Sequence, residues 1–436
     1  MVSPRPPRVL SLPAQYTHPC ESDHRFSQLF QVPDDSGKYK AFFGRRPKHL
    51  VNLHFSVYTS RMLSGPKIRS GPRPRIVLAG GGHAHLHTLR RTAELTRRGF
   101  DVTLIDTSPY LYYSGMATGV VSGVYTPEED RINVRRLVEN GGSFVEGRVR
   151  KVRAEDRALV LEDGRHVPYD VVSFNLGSTT SPEAAADNDV LPVKPVENAA
   201  KLNRRLSTWD GNGPVKLLVV GGGAAGCEVA ANALALLERR GKGGEVTLVE
   251  RGGRLLGGSP ERARRIIEAY LEGRGARILT DAEVVSYDSG RARTADGGSL
   301  SYDLVVLAVG IEANGDAFGA SGLPVGPCGG LWVDRALRSV ADGRIFGGGD
   351  AISYRGMGLP KLGVFAIRQG PVLYHNLQAV LRGEPLRAYE PQKRFLYVLN
   401  LGDGTGLAVY GPLVWSGRLA WRLKDYIDRR FIAEND

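Results

Sequence analysis

The sequence predicts an α/β fold: two parallel-sheet domains, one inserted into the other, followed by a small C-terminal element. Two observations carry this. A strand, a glycine-rich turn, a helix and a second strand ending in an acid occur twice, in the same order and at nearly the same spacing. Beyond the second unit, apolar strand segments return at 304–309 and 344–346.

Composition sets the outer limits. The chain has 436 residues, 42% hydrophobic and 24% charged, which is ordinary globular usage with room for two or three domains. No uncharged apolar run reaches the roughly 18 residues of a membrane-spanning helix. A basic start followed by an apolar secretory core is also missing, so a cytoplasmic protein is expected. Net charge is +12, but residues 1–74 hold 12 Lys/Arg and 4 Asp/Glu, a net of +8, leaving only +4 for the rest. The bulk of the chain is therefore mildly basic, which argues against a nucleic-acid partner. Cys20, Cys227 and Cys328 are odd in number and far apart. That fits a reducing compartment and excludes a CxxC or CxxxxC redox pair.

Residues 1–74 contain ten prolines and no sustained periodicity, and read as a disordered extension. A targeting peptide and an overlong start before Met62 are the alternatives, the first weakened by Glu21, Asp23, Asp34 and Asp35. At Arg75 the character changes. Arg75-Ile-Val-Leu-Ala79 is a strand leading into Gly80-Gly-Gly-His-Ala-His85, a helix over 86–98 and the strand Asp101-Val-Thr-Leu-Ile-Asp106. An antiparallel meander is expected over 145–172, turning at Glu162-Asp-Gly164. The second unit is Val215-Lys-Leu-Leu-Val-Val220, Gly221-Gly-Gly-Ala-Ala-Gly226, a helix over 227–240 and Glu245-Val-Thr-Leu-Val-Glu250. A further helix is expected over 363–381.

The glycines have distinct tasks. Gly80 and Gly221 allow the tight turn out of the strand, and Gly82 and Gly223 let the backbone approach a pyrophosphate. The third position allows close packing of helix on strand; it is Gly226 in the second unit but His85 in the first, where some nearby compensation is required. The phosphate sits at the helix N-terminus, and the terminal acids Asp106 and Glu250 are placed for ribose hydroxyls. One such motif is weak evidence. Two, each after a strand and each with its acid, point to two Rossmann-like (three-layer ββα) dinucleotide-binding domains. His83 and His85 read as packing and local hydrogen bonding, with no metal ligand set, and Cys227 as a small core residue.

In these residues the chain resembles the two-dinucleotide-binding-domain flavoproteins of the pyridine nucleotide-disulfide oxidoreductase-like superfamily, over about residues 75–390. Asp303-Leu-Val-Val-Leu-Ala-Val-Gly310 and Ser173-Phe-Asn-Leu-Gly177 look like its return strands, and Gly343-Arg-Ile-Phe-Gly-Gly-Gly-Asp350 like its second FAD motif. More narrowly, the chain is similar to type II NADH dehydrogenases and to the flavoprotein fused ahead of selenide, water dikinase. The matching segments are Tyr113-Ser-Gly-Met116, Thr126-Pro-Glu-Glu-Asp-Arg131, Leu359-Pro-Lys-Leu-Gly-Val-Phe-Ala-Ile-Arg-Gln-Gly370 and Trp421-Arg-Leu-Lys-Asp-Tyr-Ile-Asp428.

The resemblance implies an NAD domain (196–312) inserted in an FAD domain (75–195 and 313–390), with 391–436 appended. It implies FAD at the first turn, with Gly349 and Asp350 at the ribityl chain. NADH is implied at the second, with Gly221, Gly223, Gly226, Glu250 and Gly310. Hydride would pass from nicotinamide to flavin N5, and electrons onward to an acceptor such as a quinone. Glu228 matches a glutamate kept near the flavin and is assigned a proton-relay role. Lys361, before the helix over 363–381, adds positive charge at the flavin or is a solvated loop lysine. Gln369 matches one of the glutamines that face the quinone, whereas Val364 and Arg368 stand where others are expected. Glu250 favours NADH, and the adjacent Arg251 is the feature that would serve NADPH.

Two alternatives remain at this level. A sulfide:quinone oxidoreductase-like enzyme needs flavin-side cysteines, for which only Cys328 is placed. A non-catalytic redox-sensing or partner-binding flavoprotein needs none. At the C-terminus, Leu419, Leu423, Tyr426, Ile427 and Phe431 fall on one helical face, with Arg418, Arg422, Lys424, Arg429 and Arg430 nearby. This face suits peripheral contact with a membrane surface, packing on the chain's own FAD domain, or a homodimer contact. Asp425 and Asp428 dilute the basic side and favour packing.

Overall fold

A computed structural model describes residues 72–180, 189–211, 213–241 and 243–436. The expectation of disorder for 1–74 falls, but for 72–74, outside the described residues. The first sheet has five parallel strands in the order Ile345–Gly347, Val171–Phe174, Arg75–Ala79, Asp101–Asp106 and Ser143–Glu146. Its central strands are apolar along their length because both faces are covered; Ile76, Val77, Leu78 and Ala79 are all buried. The second sheet repeats the plan with Val190–Pro192, Leu304–Leu307, Val215–Val220, Gly244–Val249 and Arg277–Leu279. Pairing of Ile345–Gly347 with Val171–Phe174 returns the chain to the first sheet after the second is complete. Val190–Pro192, expected in the first domain (75–195), lies instead on the second sheet against Leu304–Leu307.

Each parallel sheet has a three-stranded antiparallel companion. The first, Val149–Arg153, Ala158–Leu161 and His166–Pro168, is the meander expected from the sequence. Its counterpart, Val284–Asp288, Arg291–Thr294 and Ser299–Ser301, escaped the sequence reading. Those strands bury little beyond Ala292 and Thr294, so they carry almost no apolar alternation.

The two glycine turns differ where their sequences differ. Gly80 has φ +88°, and a Cβ there would lie 2.3 Å from the Asn175 carbonyl oxygen. In the second turn a Cβ on Gly226 would lie 1.8 Å from the Gly221 carbonyl oxygen, and the helix Ala224–Arg239 runs unbroken from that close contact. His85 takes the equivalent place in the first turn. Its Nδ1 lies 2.6 Å from the Gly80 carbonyl oxygen and its Nε2 2.8 Å from Ser173 Oγ. A carbonyl only accepts, so Nδ1 carries the proton and Nε2 accepts from the Ser173 hydroxyl. Burial lowers the imidazole pKa to about 4, keeping it neutral. The compensation that the larger side chain requires is thus a ring wedged between helix and sheet. The helix expected over 86–98 is split into Leu86–Leu89 and Thr92–Arg97.

Beyond the long helix Gly363–Arg382, the chain ends in an antiparallel sheet, Leu396–Asn400, Gly406–Tyr410 and Leu413–Gly417, and the helix Arg418–Asn435. His85→Ala removes two buried hydrogen bonds and leaves a void. Chemical denaturation should show a loss of about 2–4 kcal/mol, and an unchanged midpoint would refute the wedge.

Candidate functional site

One cavity of about 1380 Å³ reaches both glycine turns. Its walls include Gly80, Gly82 and Asp106 of the first unit and Gly349 and Asp350 of the returning strand. Lys361 at the head of the long helix, Gly223 and Glu228 of the second unit, and Gly310 complete the wall. Nine sequence-predicted site residues therefore meet in one space. His85, Gln369, Gly221, Gly226 and Glu250 are not in its wall.

The first turn is built for an anion. Asp106 accepts from the Gly81 N–H at 2.5 Å and the Thr107 N–H at 2.6 Å, which fixes the loop, although burial raises its pKa. Asn175 faces Gly82 so closely that a Cβ there would lie 2.7 Å from its amide. The Asn175 Nδ2 is buried without a partner in the cavity wall, a donor suited to a phosphate oxygen. A dinucleotide pyrophosphate fits this cradle. The second turn uses the same device: Glu250 accepts from the Gly222 and Gly252 N–H groups, both at 2.6 Å.

At the returning strand, Asp350 accepts from Lys194 Nζ at 2.5 Å and Ser178 Oγ at 2.7 Å. Burial alone would raise this carboxyl; Lys194, Ser178 and Lys361 together hold it below its usual range. Lys361 donates to the Asp350 carbonyl oxygen at 2.5 Å, and burial lowers its pKa. It is a wall residue and not the solvated loop lysine. Gln369 is corrected: it is 1% exposed, and its Oε1 accepts from the Gly349 N–H at 2.6 Å. Its amide shapes the glycine turn and is not in the wall of the large cavity. His85 ties helix to sheet, as the packing reading expects, and because it does not reach the cavity it is not one of the cofactor-binding residues it was counted among.

Glu228 is half-buried, desolvation raises its pKa, and its Oε1 accepts from the Asn400 N–H at 2.7 Å. Next to it the C-terminal helix presents an ion pair, Lys424 to Asp428 at 2.8 Å. Lys424 also donates to the Gly115 carbonyl oxygen at 2.6 Å, and Tyr113 Oη donates to Asp428 at 3.0 Å. Asp130 lies behind them, 2% exposed, with Oδ1 unpartnered. Burial, then the negative charge of Asp428, pushes its pKa up to about 8. The C-terminal helix thus buries a polar pair and leaves part of its apolar face exposed. Lys424 and Asp428 are buried, whereas Leu419, Tyr426 and Ile427 are 76%, 60% and 40% exposed. The polar pair turns inward because Tyr113 and Gly115 satisfy it there.

His83 also differs from its sequence reading as packing. Its ring lines the cavity, its Nε2 is shielded and unpartnered, and burial lowers its pKa to about 4. The sequence reading also missed Asn175, Lys194, Asp130, Asp428 and Lys424 as site residues. Only Asn175 has a local signal, its position after the strand Val171–Phe174.

Residues 74–370 match the pyridine nucleotide-disulphide oxidoreductase family. The chain belongs to this family. Membership carries use of a flavin and a pyridine nucleotide. The chain is 27% identical to demethylphylloquinone reductase of Synechocystis sp., over 78% of this chain and 89% of that protein. It is 25% identical to the type II NADH:quinone oxidoreductase of Haemophilus influenzae, over 79% and 90%. Its fold is shared with NDH2 of Plasmodium falciparum, solved in complex with NADH, at TM-score 0.71 and 15% identity, covering 83% of this chain and 96% of that one.

The unfolded chain releases the Asp130 proton near 3.8 and the folded one near 8. The folded state holds the proton between those values, so this contribution to stability is complete below about pH 4. It declines as pH rises and is gone above about pH 8. Asp130→Asn should flatten that decline, read as urea midpoints at about pH 5 and pH 8; an unaltered slope would count against it.

Proposed function

We propose that this protein is an FAD-dependent NADH:quinone oxidoreductase that works without a redox disulfide. The observation that carries this is the single cavity joining both turns, whose wall contains no described cysteine. Cys227 is buried with its thiol directed to the Gly222 carbonyl, and Cys328 is exposed. That arrangement favours neither a dithiol relay nor the sulfide-oxidising alternative. The relatives' names, a demethylphylloquinone reductase and a NADH:quinone oxidoreductase, support the same reading.

FAD would be held by the Gly80–Gly82 turn, Asp106, Asn175 and Asp350, and supplies the two-electron relay between donor and acceptor. NADH would be held by Gly221, Gly223, Gly226 and Glu250, near Gly310. Glu228, with its pKa raised by burial, is placed beside the cavity as the candidate proton relay. Lys361 and the N-terminus of the helix Gly363–Arg382 place positive charge where reduction develops negative charge. Gln369 acts as a positioning residue for the Gly349 turn. NADH is favoured over NADPH by the negative charge of Glu250, which would repel a 2′-phosphate, whereas Arg251 stands 78% exposed beside Glu283 at 3.6 Å. No described helix is long and apolar enough to cross a membrane. Exposed Leu419, Tyr426 and Ile427, beside Arg418, Arg422 and Arg430, suit peripheral contact with an anionic bilayer, where a lipid quinone resides.

Stopped-flow mixing with NADH should bleach the flavin's visible absorption, and a quinone should restore it. A flavin that no pyridine nucleotide reduces overturns the reading. Glu250→Ser should raise the KM for NADH about tenfold, ~1.4 kcal/mol, and narrow the preference over NADPH. An unchanged ratio would remove Glu250 from nucleotide selection.

A further inference from the structure

We propose that Lys194 is a positioning residue for FAD: with Ser178 it engages one oxygen of the Asp350 carboxylate and leaves the other to accept from a ribityl hydroxyl. This rests on the FAD reading above and adds the residue that aims the carboxylate.

Three segments far apart in sequence meet at this carboxylate. Lys194 Nζ lies 2.5 Å from Asp350 Oδ2 and 2.6 Å from Ser178 Oγ, and Ser178 Oγ lies 2.7 Å from the same Oδ2. An ammonium only donates, so Ser178 accepts from Lys194 and gives its own hydrogen to Asp350, which closes a triangle. Both bonds fall on Oδ2, and Oδ1 has no hydrogen-bond partner among the described residues. All three residues line the cavity.

Each corner of the triangle is fixed by its own backbone. Lys194 follows the strand Val190–Pro192 of the second sheet. There the Val193 N–H donates to the Leu307 carbonyl and Asn198 Nδ2 to the Pro192 carbonyl, both at 2.9 Å. Ser178 opens the strand Ser178–Thr180, which pairs with Ile311–Ala313. Asp350 is steadied by the Gln369 contact to Gly349 and by Lys361 on its own carbonyl oxygen. The carboxylate cannot rotate without giving up both bonds on Oδ2, so little freedom is left to lose when a ligand arrives.

The charges favour the same use. Burial alone would raise the Asp350 carboxyl, and Lys194, Ser178 and Lys361 hold it below its usual range, so Oδ1 belongs to a carboxylate. His83, which also feels this charge, is kept neutral by burial, with a pKa of about 4. A carboxylate oxygen facing the cavity repels phosphate and carbonyl oxygens and takes a hydroxyl donor. The adenosine ribose is assigned to Asp106, which leaves the ribityl hydroxyls for Asp350.

The test uses the full chain loaded with FAD, whose release on dilution is read by flavin fluorescence. Lys194→Met removes the charge and both of its bonds, and its Kd for FAD should rise about tenfold. ADP, which carries phosphates but no ribityl chain, should compete for the FAD site within about twofold of its wild-type strength. Without Lys194, burial raises the Asp350 pKa, so the loss of FAD affinity should be larger at about pH 6 than at about pH 8. Lys194→Arg keeps the cation and should recover most of the affinity. If Lys194→Met fails to fold, Ser178→Ala removes the other bond on Oδ2 and should raise the Kd about threefold, again sparing ADP. Unchanged FAD affinity in Lys194→Met, or in Ser178→Ala where it stands in, overturns the assignment. Equal losses for FAD and ADP, or a Lys194→Met loss independent of pH, overturn it as well and reduce Lys194 to a tie between segments. If Asp350→Asn holds FAD as tightly as the wild type, Asp350 does not meet the ribityl chain, and that placement falls together with this inference. If Asp350→Asn loses FAD while Lys194→Met keeps it, only the Lys194 role falls.

Discussion

One wall of the cavity stands in place because a buried ion pair holds the last helix of the chain against the first domain. Lys424 and Asp428 leave water together, which costs several kcal/mol per ion unless their remaining bonding capacity is met. It is met by the Gly115 carbonyl and the Tyr113 hydroxyl, two groups far away in sequence. Around this anchor, Asp425 accepts from Tyr125 at 2.8 Å, and Arg429 bridges Asp425 and Glu129. The same anchor brings Ile427 and Phe431 to the cavity wall. Without it, the groove between the two glycine turns would stay open on this side.

The two turns show how one backbone solution tolerates different side chains. Both fix the loop by an acid from the following strand, Asp106 or Glu250, accepting from the N–H of the turn's middle glycine. They part at the helix contact. Gly226 lets the helix touch the Gly221 carbonyl directly, whereas His85 spans a wider gap with a ring bonded at both nitrogens. Backbone proximity in one is replaced by a side-chain bridge in the other, and the second anchor is Ser173 on a neighbouring strand.

What the sequence made legible follows from how local each signal is. Strand, glycine turn, helix and terminal acid lie within one short stretch, so both dinucleotide units and nine of the cavity residues were readable. Lys194, which reaches Asp350 across 156 positions of sequence, has no such signal. Asp130 reads as one acid among several in Thr126-Pro-Glu-Glu-Asp-Arg131, and only tertiary packing sets it apart. Apolar periodicity leaves the orientation of the C-terminal helix open, because the face it buries carries a salt bridge, Lys424 to Asp428. Gln369 was identified as special, but its amide serves the Gly349 turn, a distinction that spacing along a helix cannot make.

The charges around the cavity are segregated. Beside Asp350 stand two ammonium groups, Lys194 and Lys361, so that end carries an excess of positive charge. Beside Lys424 stand three carboxyls, Asp428, Glu228 and Asp130. Burial raises the pKa of both Asp130 and Glu228, and for Asp130 the negative charge of Asp428 adds to it, so that Asp130, at about 8, keeps its proton at neutral pH. Positive charge at one end favours the phosphates and the negative charge that reduction adds. Stored protons at the other end serve an acceptor that needs them once electrons arrive. On the proposed function, the positive end would suit the dinucleotide phosphates and the carboxyl cluster at the other end would supply protons, both at walls of one cavity.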